Sequence, residues 1–429
     1  MRRLVASRIL LGAAFVLAHL WLGMLALYAP GQPLGDVTNV YRYWIVDYGF
    51  GGHGWVGIDT VWVYPILAIL PMLAAAAFGG DLYASTWLSL VMVVDAVAFV
   101  VLVVRGRRLG SPAIAWWWLG FLVALGPVAV GRIDAITVPV AMLGMLVLAT
   151  RPALAGVLLT VAAWIKVWPA ALVAAAVVAV RARARVIIGA AVTTVVVLVV
   201  ALALGAGTNV LSFITQQTGR GLQVEAVMAT PWMWDAVHAG KGHASIYYDT
   251  AILTFQLRGE GVATAAALAT PLLAVAAALL LGLGVLAARR GRTPGELLPP
   301  LALALTVALI LFNKVGSPQF VTWLAVPVVF GLVTAASGEG RSFRVPAVLS
   351  VVIAAFTQLI YPFIYDDLLA ANLSAVMLLS ARNLLYVALF AWAVIALVDV
   401  ARREPPALPA VTPSAGISWI PAATDRPSA

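Results

Sequence analysis

The chain has 429 residues, of which 63% are hydrophobic and 10% are charged, and its mean hydropathy is +1.04. A soluble globular domain carries about 25% charged residues, so this composition excludes soluble enzymes and soluble nucleic-acid-binding domains. The net charge of +9 favours contact with anionic lipid, and the absence of cysteine excludes disulfides and thiolate metal sites.

Arginine clusters separate the apolar runs of the chain and predict its orientation in a membrane. Short loops rich in Lys and Arg remain in the cytoplasm during insertion, so these clusters mark the inner face of a multi-pass protein. They contain 17 of the 26 Lys and Arg residues. The clusters are Arg2, Arg3 and Arg8; Arg105, Arg107 and Arg108; Arg151; Arg181, Arg183 and Arg185; Arg289, Arg290 and Arg292; Arg341 and Arg344; Arg402 and Arg403.

Apolar runs of roughly 20 residues are long enough to cross a bilayer as helices. Laid out between the basic loops, the runs predict an all-α protein with about 12 crossings and with both termini in the cytoplasm. The first run, 8–28, has a basic flank but no small-residue cleavage site, so we expect an uncleaved helix. The other predicted crossings are 84–104, 113–130, 134–149, 153–165, 167–180, 186–204, 262–287, 297–312, 320–335, 345–363 and 383–400.

Two parts of this layout are unusual. Run 61–78 is not counted as a crossing, because Pro65 and Pro71 interrupt it and because one more crossing would place the Arg105 cluster outside. We expect this run to dip into or lie along the outer leaflet. Since Arg151 and the next basic cluster both belong inside, we expect two short helices that meet near 166–169.

The loops predict where function lies. Two loops on the predicted outer side are long, 29–83 and 205–261, and both carry charged and aromatic residues instead of linker composition. We expect residues 1–400 to form a single transmembrane catalytic domain. The segment 401–429 is rich in Pro, Ala, Ser and Thr, so we expect it to be a disordered cytoplasmic tail.

Cations are sparse on the predicted outer side, which contains 11 of the 17 Asp and Glu residues. Isolated loop charges usually form solvated ion pairs. Lys166 and Lys314 differ because apolar helices flank them, so each needs an anionic partner or a water-filled cavity. The outer cations are Arg42, Arg132, Lys166, Arg220, Lys241, Arg258, Lys314 and Arg382.

Five short motifs occur in order on the predicted outer side: GDVTNVY at 35–41, VYP at 63–65, GRID at 131–134, IKVWP at 165–169 and KVGSPQF at 314–320. In this order they resemble glycosyltransferase family 87, the polyprenol-phosphate-mannose-dependent α-1,2-mannosyltransferases of actinobacteria, which have the C-type membrane glycosyltransferase fold. The resemblance covers most of the chain, from about Asp36 to Trp323. Ile66 departs from it, because the family often has a second proline there.

The resemblance implies an enzyme of the bacterial plasma membrane with its active site on the extracytoplasmic face. Its donor would be polyprenyl-phosphate mannose, its acceptor a glycolipid or lipoglycan, and its product an α-1,2 linkage formed with inversion. A lipid phosphate is a good leaving group, so one carboxylate base and cations for the phosphate suffice. No metal, cofactor or nucleic acid is implied, while arabinose or glucose as the sugar and the exact acceptor stay open.

Asp36 is the candidate catalytic base, since it resembles the first-loop aspartate that is catalytic across C-type enzymes. The structural alternative is that Asp36 caps a short helix that begins at Val37. Asp59 and Asp47, in the same loop, are the fallback bases and match the family pattern less well.

Lys314, Arg220 and Lys166 are the candidate ligands of the donor phosphate. A cation at the outer end of a helix is able to hold the phosphate while the polyprenyl chain stays in lipid. Snorkelling of the two lysines to the interface is the alternative.

The candidate sugar- and acceptor-binding residues are Tyr41, Asp59, Arg132, Asp134, Glu225, Trp232 and Gln319. Three of them have a specific structural alternative: Arg132 and Asp134 are expected to pair with each other, and Gln319 is also suited to bond the backbone freed by Pro318. Trp234 is more typical of an interface anchor. His238 and His243 lack a third ligand at convincing spacing, so we expect no metal site.

Two other classes of protein fit the same residues. A transporter or lipid flippase would use the intramembrane charges as a substrate path and would not need a loop carboxylate. A non-catalytic envelope-assembly protein would need no individual outer acid.

Overall fold

The apolar runs fold into packed helices in the computed structural model, which describes residues 7–216 and 219–403. The first half of the chain begins with a long helix, followed by wide-turned π-helical segments in the first long loop. In chain order these are α1 (Arg8–Tyr28), two π segments (Asp36–Tyr41 and Tyr43–His53), a 3-10 turn (Ile66–Ala68), α2 (Ile69–Ala75), α3 (Tyr83–Arg108), α4 (Ala113–Leu125), a 3-10 turn (Gly126–Ala129), α5 (Asp134–Val147), α6 (Pro152–Ile165), α7 (Ala170–Ala179) and α8 (Arg183–Ala203).

The second half opens with the second long loop and continues with five long apolar helical spans. Its elements are a 3-10 turn (Gly207–Leu211), α9 (Ser212–Thr215), a 3-10 turn (Val227–Ala229), α10 (Thr230–Ala236), β1 (Ser245–Asp249), β2 (Thr254–Arg258), α11 (Val262–Arg289), α12 (Pro294–Leu311), a 3-10 turn (Pro318–Leu324), α13 (Ala325–Ala336), α14 (Arg344–Gln358), a π segment (Leu359–Phe363), α15 (Tyr365–Leu369) and α16 (Leu373–Arg402).

Every predicted crossing coincides with a helix, and within residues 7–216 and 219–403 eight helices are long and apolar enough to cross a membrane. The expected all-α, multi-pass character is therefore confirmed. The eight are α1, α3, α8, α11, α12, the span Pro318–Ala336, the span Arg344–Phe363 and α16. One addition was not predicted, the antiparallel β1–β2 hairpin in the second long loop, which pairs Tyr247 with Gln256. The predicted tail lies largely outside the described residues.

The helices divide into a central and a peripheral set. α12 is 83% buried over its most apolar window, whereas α11 is only 17% buried and α8 28%. The exposed side chains of α8 include Val192, Val195 and Val199. Apolar side chains on the outside of a bundle are stable when lipid, not water, surrounds it. α12 therefore forms the core, and the peripheral helices present surface suited to lipid.

Run 61–78 is a short broken element, as its two prolines predict. The apolar helix Ile66–Ala75 consists of a three-residue 3-10 turn and the seven-residue α2. It rises by about 15 Å, half the thickness of the hydrocarbon core. The predicted break near 166–169 is also confirmed: α6 ends at Ile165, Lys166 is extended, and α7 begins at Ala170.

Several basic clusters meet at one end of the bundle, which we name the basic end. Arg105 donates to the carbonyl of Leu146 (2.7 Å), Arg290 donates to the carbonyl of Ala401 (2.6 Å), and Arg341 pairs with Asp399 (3.3 Å). A small cavity of about 200 Å³ at this end is lined by the chain just before Arg151 and Arg181 and by the start of α12. Loops that the charge pattern assigns to one side of a membrane thus lie on one side of the protein.

A buried polar pair joins two helices inside the bundle. His19 of α1 and Asp95 of α3 lie 3.0 Å apart (Nε2 to Oδ2), and both side chains are buried. The other imidazole nitrogen contacts the carbonyl of Phe15 at 3.0 Å. Asp95 faces the bundle interior as predicted, because a carboxylate facing lipid would have no partner.

Single cysteines test the orientation, since the native chain has none. Ser342 is exposed in the basic Arg341–Arg344 loop, and Thr250 is exposed in the β1–β2 turn. We expect a membrane-impermeant maleimide on intact cells to label the Thr250→Cys variant and to label Ser342→Cys only after permeabilisation. The reverse pattern would show that the basic end faces outward.

Candidate functional site

A large cavity lies at the end of the bundle opposite the basic end, which we name the site end. Its volume is about 690 Å³. It is bordered by the first long loop, by the turn before α5, by the second long loop and by the chain that follows α12 and α14. We name it the polar cavity, because Asp36, Arg132, Arg220 and Glu225 all line it.

Asp36 and Arg132 form the central ion pair of the polar cavity. The Nε of Arg132 lies 3.0 Å from Oδ2 of Asp36, and the Arg132 side chain is 7% exposed against 40% for Asp36. The remaining Arg132 nitrogens donate to the carbonyls of Pro33 (2.5 Å) and Gly131 (2.8 Å) and to the Tyr361 hydroxyl (3.1 Å). A guanidinium held on several sides orients the carboxylate, which remains accessible from the cavity.

This geometry overturns one expectation and one alternative. Arg132 does not pair with Asp134, because Arg132 precedes α5 and its guanidinium is held by Asp36, whereas Asp134 begins α5 and pairs with Lys166. Asp36 does not act as a helix cap either: it is the first residue of its π segment, Gly35 occupies the cap position, and no side chain makes a capping hydrogen bond.

Asp134 forms a second ion pair with Lys166, in which the Asp134 side chain is fully buried and the Lys166 side chain is 15% exposed. The ammonium lies 2.6 Å from Oδ2 of Asp134, and the Trp323 indole donates to Oδ1 at 2.6 Å. The ammonium also lies 5.5 Å from the ring centre of Phe320 and 5.9 Å from that of Tyr64. Lys166 therefore does not snorkel to the interface. Asp134 lies behind the polar cavity and does not line it.

A second cavity of about 500 Å³ adjoins the first. Most of its wall is aliphatic and aromatic, and these side chains come from the chain around Tyr64, around Trp168 and around Phe213, from α11 and from residues 309–323, so we name it the apolar cavity. The two cavities share a wall of five residues, Val63, Tyr64, Arg220, Ser317 and Gln319. A molecule with an apolar part and a polar part is thus able to occupy both at once.

Two cationic side chains lie at the junction of the two cavities. Arg220 lines both cavities, and Lys314 lines the apolar one. Burial lowers the pKa of the Lys314 ammonium, and the nearby charge of Arg220 lowers that pKa further. Within the described residues, the buried Nε of Arg220 has no hydrogen-bond partner. Like charges held together favour an anion between them, and a phosphate oxygen would satisfy the Arg220 donor.

Glu225 forms an ion pair that was not predicted from the sequence. Arg382 of α16 donates to Oε2 of Glu225 at 2.6 Å and to its carbonyl at 2.9 Å, and both side chains are buried. Asn383 adds a bond from its amide to the Thr230 hydroxyl (2.8 Å). Glu225 lines the polar cavity. Because its carboxylate is paired with Arg382, it forms part of the cavity wall and is not available to bind acceptor hydroxyls.

Aromatic residues form one side of the polar cavity. Trp44, Trp62 and Tyr64 pack edge to face, with ring centres 5.6–6.0 Å apart. The Tyr41 hydroxyl accepts from the backbone N–H of Ile133 (3.3 Å) and lies 3.5 Å from that of Tyr64. Burial raises the pKa of both phenols, so both stay neutral hydrogen-bonding groups. Trp44 and Trp62 were not predicted, although Trp62 directly precedes the VYP motif.

The other predicted residues are placed as follows. Gln319 is almost buried and lines both cavities. Asp59 accepts from the backbone N–H of Trp55 (2.7 Å), and Asp47 pairs with Arg42 (2.9 Å); neither lines a cavity. Trp232 donates to the carbonyl of Glu260 (2.8 Å), also away from both cavities. Trp234 donates to the Ser380 hydroxyl of α16 (2.8 Å).

The chain matches no protein-family model, no curated protein and no solved structure. The chemistry of the site is therefore judged by its own geometry. An accessible carboxylate suits proton abstraction, two neighbouring cations suit a phosphate, and the apolar cavity suits a hydrocarbon chain.

The buried Asp134–Lys166 pair predicts a large loss of stability when it is broken. The Asp134→Ala substitution leaves a buried ammonium and the Trp323 donor without their acceptor, so we expect the free energy of unfolding to fall by about 3–5 kcal/mol. The control, Asp47→Ala, breaks the half-exposed pair with Arg42 and should cost at most about 1 kcal/mol. Denaturant unfolding in detergent measures both, and equal losses would contradict the assignment.

Proposed function

We propose that the chain is a membrane glycosyltransferase that moves a mannosyl residue from polyprenyl-phosphate mannose to a glycolipid or lipoglycan acceptor. The transfer takes place on the extracytoplasmic face of a bacterial plasma membrane and forms an α-1,2 linkage. The choice of mannose, of the polyprenyl carrier and of the linkage rests on the resemblance to glycosyltransferase family 87. The choice of a transfer reaction also has support from the geometry of the two cavities.

The shared wall of the two cavities carries the proposal. The apolar cavity is suited to the first isoprene units of the donor, and the polar cavity is suited to its sugar and to the acceptor. The phosphate that joins lipid and sugar would then lie at the junction, beside Arg220 and Lys314. Asp36 borders the polar cavity, where the acceptor hydroxyl would approach.

In the proposed reaction, an acceptor hydroxyl oxygen attacks the anomeric carbon of the donor while Asp36 takes the hydroxyl proton. The bond between the anomeric carbon and the phosphate oxygen breaks, and polyprenyl phosphate leaves with the electron pair. Arg220 and Lys314 stabilise the charge that develops on the phosphate. Attack from the face opposite the leaving group converts a β-linked donor into an α-linked product.

Arg132 acts in this scheme as a positioning residue. It touches Asp36 but is enclosed by backbone carbonyls and by Tyr361. A base must lie within hydrogen-bond reach of the proton it removes, and the fixed guanidinium restricts the carboxylate to one orientation. The aromatic wall of Trp44 and Trp62 offers apolar ring faces to the sugar.

We further propose that the chain crosses the membrane 12 times. Eight helices have the length and composition to cross. The remaining crossings would be made by the shorter apolar helices Ala113–Ala129, Asp134–Val147, Pro152–Ile165 and Ala170–Ala179. With the basic end in the cytoplasm, both cavities open toward the outer leaflet, where a lipid-linked donor is available.

The decisive variant is Asp36→Asn, which keeps the size of the side chain but removes its ability to accept a proton. We expect folded, inserted protein whose rate of transfer from polyprenyl-phosphate mannose is about 10²–10⁴-fold lower. Purified protein in detergent or nanodiscs, with radiolabelled donor and a panel of glycolipid acceptors, gives the measurement.

The matched control for Asp36→Asn is Asp47→Asn, which changes an aspartate of the same loop that lines neither cavity. It should retain near-native transfer. Full transfer by Asp36→Asn would remove this residue from the mechanism. A transporter would instead show donor movement without transfer in the native protein and no dependence on the Asp36 carboxylate.

Arg220→Gln tests the phosphate site. A hydrogen bond to a charged group contributes about 1.5–3 kcal/mol, so we expect the KM for the lipid-linked donor to rise about 10- to 100-fold while the KM for the acceptor changes little. Arg258→Gln, which removes an exposed arginine stacked on Tyr247 in the same loop, should leave both constants unchanged. A selective effect on the acceptor would argue against phosphate binding.

A further inference from the structure

Metal-ligating side chains come together on the second long loop, away from both cavities. Asp235 lies in the last turn of α10, and His238 and His243 lie in the connection to β1. One ligand atom from each of the three residues lies within 4.8 Å of the other two. In the sequence, His238 and His243 lack a third ligand at suitable spacing. The fold supplies that ligand by placing the end of α10 next to the start of the hairpin.

Hydrogen bonds hold the three side chains in orientations suited to a metal. Nδ1 of His238 contacts the Trp234 carbonyl at 3.2 Å, and Nδ1 of His243 contacts Oδ1 of Asp235 at 2.8 Å. The Trp234 carbonyl only accepts, so Nδ1 of His238 carries the proton and its Nε2 carries the lone pair. A histidine whose Nδ1–H bonds a backbone carbonyl is a usual arrangement around a protein-bound zinc ion. Nδ1 of His243 and Oδ1 of Asp235 face each other directly, so a metal ion would replace the proton that they share.

The remaining geometry is compatible with an ion entering from solvent. The two imidazole rings stack with their centres 5.6 Å apart, and both histidines are exposed. The second oxygen of Asp235 accepts from the backbone N–H of Ala244 at 2.6 Å.

We propose that Asp235, His238 and His243 form a binding site for a divalent transition metal of the zinc class, with water completing the coordination. Two imidazoles and one carboxylate favour zinc over calcium or magnesium, which prefer sets of oxygen ligands. This site goes beyond the proposed transfer reaction and does not depend on it.

The position of the site indicates what a bound metal would do. It joins the end of α10 to the start of β1, and the residues around the turn of the same hairpin, Tyr248 and Ala251 to Phe255, line the polar cavity. A metal ion that links α10 to the base of the hairpin would restrict the movement of the hairpin. It would thereby also restrict the part of the cavity wall that the hairpin turn forms. The metal would thus have a structural role at the rim of the candidate active site.

Isothermal titration calorimetry with zinc chloride tests the site on the full-length protein in detergent, purified without a histidine tag. We expect one zinc ion per chain in the native protein, and at least about 100-fold weaker binding after the combined His238→Ala and His243→Ala substitutions. The control is His53→Ala, which removes an exposed histidine outside the cluster and should bind zinc like the native chain. Magnesium and calcium chloride should not compete.

Hydrogen exchange gives a second readout. Zinc should slow amide exchange of residues 244–258 in the native protein and in His53→Ala, but not in the double variant. The proposal is overturned if the native chain binds no zinc, or if the double variant binds it equally well. It is also overturned if zinc binds without any change in amide exchange at the hairpin, because the bound metal would then not restrict the hairpin.

Discussion

Charged groups in a medium of low dielectric constant are stable only when an opposite charge neutralises them, and this constraint organises the site end of the protein. The pairs Asp36–Arg132, Asp134–Lys166 and Glu225–Arg382 each have at least one buried member. Their partners come from different parts of the chain; Glu225 and Arg382 are 157 residues apart. Loops that carry long irregular segments are thereby tied to the helix bundle.

The balance of charge at the junction of the two cavities differs from that of these three pairs. There, Arg220 and Lys314 bring two positive charges close together, whereas the three pairs nearby are each internally neutral. Two neighbouring cations beside an apolar cavity favour an amphiphilic anion. A lipid phosphate has that chemistry, and this match connects the electrostatics of the fold to the proposed function.

The sequence predicted the helices well because hydrophobic length and loop charge determine them locally. The break at Lys166 was predictable for the same reason, since the basic residues on both sides required an even number of passes. The partners in the ion pairs were not predictable. The GRID motif places Arg132 and Asp134 two residues apart, yet each pairs with a residue far away in the sequence. The hairpin, the partner of Glu225 and the position of Asp235 beside two histidines all depend on contacts across the fold, which short motifs do not encode.

The break between α6 and α7 has a consequence for the surrounding lipid. The 14 residues of α6 and the 10 residues of α7 rise by only about 21 Å and 15 Å, whereas the hydrocarbon layer is about 30 Å thick. In the proposed arrangement of 12 crossings, the chain would reverse below the level of the lipid headgroups, and the ammonium of Lys166 would lie at that depth. Such hydrophobic mismatch thins the adjacent leaflet or must be screened by neighbouring helices. Bilayer thickness would then affect the part of the site that Lys166 borders.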